Sequence, residues 1–124
     1  MFSPQSPAKH VAIVAHSYGG VVTTSLAKKF LPEFEKRVFS IMFTDSVHSL
    51  KKDRSDAVAN FLEKIALNYV AVHGGESLGT EIPNKYKDAV PMVSAGKNLR
   101  QVRFVRNAWS PTYIAFRLVV SCIA

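Results

Sequence analysis

The chain has 124 residues, of which 48% are hydrophobic and 20% are charged. These proportions are typical of one globular domain and argue against a disordered chain or two independent domains. The single cysteine, Cys122, excludes an intramolecular disulfide, and no cysteine and histidine cluster has metal-ligand spacing, so no cofactor or metal is expected. No stretch of about 18 uncharged apolar residues could span a membrane, so no membrane partner is expected.

Basic residues exceed acidic ones by 16 to 9, and the excess lies mainly in residues 89–124, which contain five basic residues and no acidic ones. Such a segment favours contact with nucleic acid or an acidic surface. RNA contact is one interpretation and a solvated basic tail is the other. The residues available for RNA would be four cations and two aromatic rings: Lys97, Arg100, Arg103, Arg106, Phe104 and Trp109.

The first half of the chain predicts a strand, a helix and a second strand. Residues 1–8 contain two Ser-Pro pairs and are expected to form a disordered lead. The β-branched apolar run at 10–15 predicts a strand buried on both faces, as in a parallel sheet. After the Gly19-Gly20 pair, apolar residues at every fourth position predict a helix that ends at Pro32. The apolar run 38–44 then completes a βαβ unit.

A second helix is predicted after a cap at Asp53 or Ser55. Its apolar stripe comprises Val58, Phe61, Leu62, Ile65, Ala66, Tyr69 and Val70. The glycine-rich stretch 73–84 predicts a loop that exposes Glu76 and Glu81, and 90–95 predicts a third short strand with Pro91 at its start. Residues 97–124 have no clean period. The fold class is therefore α/β, with a parallel sheet of about three strands and two main helices.

The sequence Ala15-His16-Ser17-Tyr18-Gly19 lies between the first strand and the first helix. A serine at such a junction, with small residues two positions on either side, is the pattern of a nucleophile elbow. Ser17 would attack an acyl carbon, and the Tyr18 N–H at the helix start would donate to the oxyanion. The alternative is that Ser17 only caps the helix and the glycines serve packing.

A serine nucleophile needs a base and an orienting carboxylate. Asp45 follows the second strand at the same sheet edge and is the candidate acid, although it could equally cap a turn. His48 and His73 are the candidate bases, each with the alternative of a solvated loop histidine. His10 and His16 are interpreted as structural, and no histidine follows the third strand.

Three motifs in order, VAHSYGG at 14–20, FTDSVH at 43–48 and VSAG at 93–96, resemble the Argonaute-binding protein two (Arb2) domain family, in particular its animal cotranscriptional regulators. The resemblance covers roughly residues 8–96. It implies an α/β-hydrolase-like fold, with Ser17 as nucleophile and Asp45 in the matching acidic motif. It also implies roles with Argonaute, chromatin and splicing proteins in the nucleus and cytoplasm.

Two departures from the family pattern shape the expectations. Family members have earlier strands before this point, so the sheet is expected to be truncated on its N-terminal side and to lack the second oxyanion donor. After VSAG the family supplies its histidine, whereas this chain continues Lys97-Asn-Leu-Arg. We therefore expect a disordered lead at 1–8, a partial domain at 9–96 and a divergent basic and apolar tail at 97–124, as in a fragment or splice isoform.

Two functions are open on these observations. The first is a protein-interaction module without catalytic competence, and the alternative is a serine hydrolase, of esterase or thioesterase type, that uses Ser17. A partial sheet also leaves strand edges without neighbours, which predicts marginal stability or self-association.

Overall fold

The computed structural model describes residues 8–84, 87–96 and 119–121. Nine elements follow one another along the chain: β1 (Val11–His16), α1 (Gly19–Lys29), α2 (Leu31–Arg37), β2 (Val38–Thr44), α3 (Ala57–Ile65), β3 (Ala66–Val70), β4 (Glu81–Ile82), β5 (Met92–Ser94) and β6 (Val119–Ser121). The strands form one sheet in the order β4-β5-β3-β2-β1-β6.

The sheet is mostly parallel, as predicted. Strands β6, β1, β2, β3 and β5 run parallel to their neighbours, and only the two-residue strand β4 pairs antiparallel, with β5. The carboxyl ends of β1, β2 and β3 therefore meet at one edge, where open α/β sheets place their ligands. The predicted α/β class with a parallel sheet is confirmed.

The first strand and the first helix are also as predicted, but a further helix follows them. Residues Val11, Ile13 and Ala15 are buried, and β1 pairs along its length with β2. Helix α1 ends at Lys29, and Pro32 then stands in the first turn of α2. Proline is tolerated there because the first N–H groups of a helix have no partner inside it. The charged segment before β2 is thus helical.

The second predicted helix is wrong in its C-terminal part. Helix α3 stops at Ile65, and Ala66–Val70 form β3, which lies between β2 and β5. The apolar residues from Ile65 onward fit a buried strand as well as a helical stripe, and burial in the sheet decides between them. The cap also differs from both candidates, since the Asp56 carboxylate accepts the N–H groups of Val58 and Ala59 at 2.9 and 3.2 Å.

The predicted third strand and the loop before it are confirmed with shorter bounds. Strand β5 covers Met92–Ser94, and Pro91 precedes it. The predicted loop 73–84 includes the two residues of β4, and Glu76 and Glu81 are exposed. An antiparallel bridge joins Lys51 to Asp88, so the chain after β2 lies against the chain before β5.

The core lies between the sheet and the helices. Its largest buried side chains include Phe34 from α2, Ile41 and Phe43 from β2, Leu62 from α3 and Val90. Full burial of such a side chain is worth about 1.5–3 kcal/mol. The sheet and all three helices are therefore joined through one apolar cluster.

Several predictions lie wholly or partly outside the described residues. They are the lead predicted at 1–8, of which residues 1–7 lie outside, and the tail predicted at 97–124, of which residues 97–118 and 122–124 lie outside, including its proposed RNA-contacting cations and aromatic rings. Ala8 is described, and its carbonyl accepts hydrogen bonds from Arg37 Nε and Nη2 at 3.0 and 2.6 Å. The backbone of β6 pairs with β1 at Ile13–Ala15. Among the described residues, no helix has the length and apolar character needed to cross a membrane.

Candidate active site

Ser17 occupies the sharp turn that the elbow pattern predicts between β1 and α1. Its φ is +49°, a left-handed backbone conformation that costs about 1–2 kcal/mol in a residue with a side chain. The Ser17 N–H donates to the Thr44 carbonyl at 3.0 Å, and the Ser17 carbonyl accepts from Gly20 N–H at 3.1 Å. A strained serine between a strand and a helix is the geometry of a nucleophile elbow.

Tyr18 begins the helix, with its side chain 57% exposed. Its carbonyl accepts from Val21 N–H at 2.9 Å, whereas its own N–H has no acceptor in the part of the chain that the structure describes. A free N–H at a helix start, beside a serine, can stabilise negative charge. The oxyanion role of Tyr18 stays a prediction that this geometry accommodates.

Asp45 follows β2 at the same edge, in a left-handed turn with φ of +43°. Its backbone N–H donates to the Tyr69 carbonyl at 2.8 Å, and its carboxylate accepts the Ala71 N–H at 3.0 Å. Asp45 therefore joins the end of β2 to the end of β3, and its role as the catalytic acid stays a prediction. No histidine in the described residues hydrogen-bonds to its carboxylate.

His48 contacts a different serine and a different aspartate from those predicted. Its Nδ1 lies 2.5 Å from Ser46 Oγ, and its Nε2 lies 3.1 Å from Asp88 Oδ1. The imidazole is 2% exposed and packs against the Phe43 ring at 4.5 Å between centroids. Both ring nitrogens are thus engaged, and neither reaches Ser17.

Asp88, which precedes β5, accepts several hydrogen bonds. Besides His48, it accepts the N–H groups of Leu50 at 3.0 Å and Val90 at 2.9 Å. Burial opposes its ionisation, but the hydrogen bonds from His48, Leu50 and Val90 outweigh burial and hold the Asp88 pKa below its ordinary value. Asp88 is therefore a carboxylate at neutral pH and an acceptor for the His48 ring.

The remaining histidines do not supply a base for Ser17. His16 Nδ1 contacts the Thr44 carbonyl at 2.9 Å, and the His10 ring meets the Phe39 ring edge-on at 6.4 Å. His73 is exposed in the loop after β3. In the described part of the chain, no residue forms a hydrogen bond with Ser17 Oγ. No cluster of metal-ligating side chains occurs in that part either.

Sequence reasoning missed Ser46, Asp88 and Asn68 as members of a polar group. Asn68 lies in β3, and its Oδ1 accepts the Ser46 N–H at 3.3 Å. The available signal was the motif Asp45-Ser-Val-His48, in which a second serine stands two positions before a histidine. Asp88 is 40 residues from His48, so local spacing could not have found it.

Comparison with known proteins decides the family. The profile of the Arb2 domain matches residues 1–74, which include the Ser17 turn and the motif at 43–48. The chain belongs to the Arb2 domain family. The match ends before the VSAG motif at 93–96, which the sequence resemblance included.

Three relatives of this Arb2 domain chain show how far the similarity extends. The Dictyostelium discoideum protein named cotranscriptional regulator ARB2A homolog is 35% identical over 100 residues, covering 81% of this chain and 26% of the relative. A Gallus gallus protein of the same name is 32% identical over 96 residues, covering 77% and 22%. The Homo sapiens protein named cotranscriptional regulator ARB2A is 28% identical over 102 residues, covering 82% and 24%.

The chain spans about a quarter of the length of these curated relatives. No solved structure matches it. Membership of the Arb2 family therefore rests on sequence similarity, and the arrangement of the sheet rests on the structure of this chain.

Proposed function

We propose that this chain is a protein-interaction domain of a cotranscriptional regulator and is not an enzyme at Ser17. The observation that carries the proposal is its membership of the Arb2 family, whose relatives above are named cotranscriptional regulators. The proposal includes assemblies with Argonaute, chromatin and splicing proteins, in the nucleus and cytoplasm. An α/β-hydrolase-like scaffold would then serve for binding, as hydrolase folds without catalytic activity do.

The geometry of the Ser17 turn supports this choice over catalysis. Ser17 has no hydrogen-bonded base among the described residues, and the candidate base His48 is held by Ser46 and Asp88. Acyl transfer by serine depends on such a base, and its loss lowers turnover by several orders of magnitude. Ser17 catalysis would require a histidine that the described part of the chain does not provide.

An exposed apolar pair beside Ser17 offers a contact surface for a partner. Tyr18 is 57% exposed and Val47 is 60% exposed. The two residues lie close together, because the Val47 N–H donates to the Ser17 carbonyl at 3.3 Å. Exposed aromatic and aliphatic side chains at one edge are typical of protein interfaces. We place the partner contact on Tyr18 and Val47.

Tethering to a nascent transcript tests the regulatory function. The chain is fused to a phage coat protein whose RNA hairpin is placed in the intron of a two-exon splicing reporter. Exon inclusion should change relative to the coat protein alone. Tyr18→Ser and Val47→Ser should abolish the change, whereas Leu78→Ser, at a loop residue 37% exposed, should retain it. Unchanged inclusion with the wild-type chain would contradict the proposal.

The finer parts of the proposal have their own measurements. Purified Argonaute should bind the chain, and Tyr18→Ser should weaken that binding at least about tenfold, as expected for an aromatic contact of more than about 1.4 kcal/mol. A fluorescent fusion should be found in both the nucleus and the cytoplasm. Failure of Argonaute binding with an active splicing reporter would remove the Argonaute link alone.

A serine hydrolase that uses Ser17 is the second candidate function. It is favoured by the left-handed Ser17 turn and by the free Tyr18 N–H. A fluorophosphonate probe would then label Ser17, and Ser17→Ala would abolish both labelling and splicing activity. Under the interaction proposal, Ser17→Ala retains splicing activity.

A further inference from the structure

A cavity of about 560 Å³ opens beside the carboxyl ends of β2 and β3, and Ser17 is not among its lining residues. One wall is polar and contains Asp45, Ser46, His48, Ser49, Lys51, Asn68 and Asp88. The other wall is apolar and contains Val70, Val90 and Met92. Its size and mixed lining are those of a site for a small organic ligand.

The polar wall holds a serine, a histidine and an aspartate in one hydrogen-bonded chain. Asp88 is ionised and can only accept, so His48 Nε2 carries the proton that bonds to it. In the neutral imidazole, Nδ1 then has a free lone pair, and the hydrogen bond at 2.5 Å is donated by the Ser46 hydroxyl. This is the arrangement in which a histidine can remove the proton of a serine.

Asn68 provides an independent indication of a ligand. The residue is only 6% exposed, and its Oδ1 is assigned by the Ser46 N–H that it accepts. Its Nδ2 has no acceptor among the described residues. No fully buried side-chain polar atom in that part of the chain lacks a partner, so Nδ2 is not fully buried, and Asn68 is one of the residues that line the cavity. A largely buried amide donor without an acceptor is suited to a carbonyl oxygen of a ligand.

Fixed packing holds the serine and histidine in place. The Phe43 ring lies at 4.5 Å and 32° to the imidazole, which restricts its rotation. On the other side, Gly20 leaves room for Ser46, since a Cβ at that position would lie 1.7 Å from Ser46 Oγ. The orientation of the pair is thus determined by its neighbours before any ligand enters.

We propose that this cavity is an esterase site for short aliphatic carboxylic esters, with Ser46 as nucleophile, His48 as base, Asn68 as donor to the carbonyl oxygen and Asp88 as positioning residue. Ser46 Oγ forms a bond to the acyl carbon, the carbon–alkoxy bond breaks, and the serine proton passes through His48 Nδ1 to the leaving alcohol. Water then attacks the acyl-serine, gives its proton to His48, and releases the carboxylic acid as Ser46 recovers its proton. The apolar wall accommodates the acyl chain.

Phosphonylation followed by trypsin digestion locates the reactive serine. An alkyl fluorophosphonate transfers its phosphonyl group to a serine Oγ and releases fluoride. Cleavage at lysine and arginine places Ser17 in the peptide 10–28 and Ser46 in the peptide 38–51, and fragmentation distinguishes Ser46 from Ser40 and Ser49. We expect the adduct on Ser46 in the full chain.

Matched variants separate a catalytic group from a structural one. Ser46→Ala should abolish the adduct in peptide 38–51, whereas Ser40→Ala, in the same peptide but outside the lining of the cavity, should retain it. His48→Gln should slow labelling about 100-fold or more, the usual contribution of a general base. Asp88→Asn should also slow it and should alter its pH profile, which a role only in folding would not do. Circular dichroism establishes that each variant is folded.

A thiol variant keeps the test decisive if Ser46→Ala does not fold. In a Cys122→Ser background, the thiol introduced by Ser46→Cys should react with iodoacetamide at least about tenfold faster than in the same protein with His48→Gln, because the imidazole favours the thiolate. Hydrolysis of p-nitrophenyl butyrate should be lost in Ser46→Ala. Absence of a Ser46 adduct while a known serine hydrolase is labelled, or labelling at equal rates with and without His48, would overturn the proposal. Neither result depends on the splicing reporter.

Discussion

Gly20 and Ser46 lie so close that a Cβ added to Gly20 would be 1.7 Å from Ser46 Oγ and 2.8 Å from Ser46 Cβ. Gly20 is inside helix α1 and has no left-handed backbone, so its requirement for glycine arises from packing. The glycine pair after Ser17 therefore allows the first turn of α1 to approach the chain after β2. This contact connects the Ser17 turn to the cavity.

Gly20→Ala should destabilise the chain. The overlap with Ser46 costs more than the gain in helix propensity, and we expect a net loss of about 2 kcal/mol in the free energy of unfolding. Urea denaturation followed by circular dichroism measures it. Gly74→Ala is the matched control: its Cβ would meet only the Glu76 side chain of an exposed loop, at 2.7 Å, so the change should stay within about 0.5 kcal/mol. Equal stabilities of the two variants would refute the packing argument.

Asp88→Asn should reduce stability in a pH-dependent manner. The carboxylate accepts from His48, Leu50 and Val90, so its loss should cost about 1–3 kcal/mol at pH 7. Its pKa is lowered by folding, so this contribution is complete above about 3.9, the pKa of an unfolded aspartate, and is lost as pH falls through the lower folded value. The wild-type and variant curves should therefore converge as the pH falls below about 3.9.

Asp53→Asn is the control for that pH series. The Asp53 pKa is also lowered, by hydrogen bonds from the backbone and side chain of Ser55, but the group is fully exposed. Solvent screening makes such an exposed contact weak. The unfolding curve of Asp53→Asn should follow the wild type at every pH. If Asp53→Asn showed the same pH dependence as Asp88→Asn, the loss of stability would not be specific to the hydrogen bonds of Asp88.

Leu62→Ala should cost about 3 kcal/mol, because Leu62 is fully buried between α3 and the sheet. Leu67→Ala removes the same atoms from a side chain 39% exposed in β3 and should cost about 1 kcal/mol. The pair tests the assignment of β3, because the expected losses differ only through the burial of the two side chains. The urea midpoints of the two variants measure the difference. A larger loss for Leu67→Ala would contradict the placement of its side chain.

The chain should self-associate as its concentration rises. Among the residues that the structure describes, β6 pairs with three of the six residues of β1, and the two-residue β4 is the other outermost strand. Incompletely paired strand edges and exposed apolar side chains promote association. Light scattering across a concentration series should show increasing mass. A single monomeric species with a cooperative thermal transition would refute this prediction.

The elements that the sequence predicted well are those with a single physical interpretation. The run before Ser17 and the apolar run 38–44 are short and rich in β-branched residues, which favours buried strands, and the glycines after Ser17 allow the sharp turn. The segment after Ile65 had two interpretations. Its apolar residues continue the helical stripe of Leu62, and only pairing with β2 and β5 makes it a strand.

In the candidate site, too, the local sequence predicted positions after strands but not contacts between residues far apart in the sequence. Ser17 and Asp45 were predicted from their positions after strands, and both lie at the same sheet edge in left-handed turns. The partners of His48 depend on a contact across 40 residues, from the chain after β2 to Asp88 before β5. A local pattern carries no information on which distant carboxylate will meet a given histidine.

Helix α3 passes into β3 between Ile65 and Ala66 without any intervening residue. The last turn of the helix therefore sets which residues of the strand point to each face of the sheet. One inserted residue at this junction would turn Asn68 to the opposite face and carry its amide away from Ser46, whereas the exposed loop at 73–80 has room for added residues. The number of residues at the junction of α3 and β3 thus determines whether the Asn68 amide can reach Ser46.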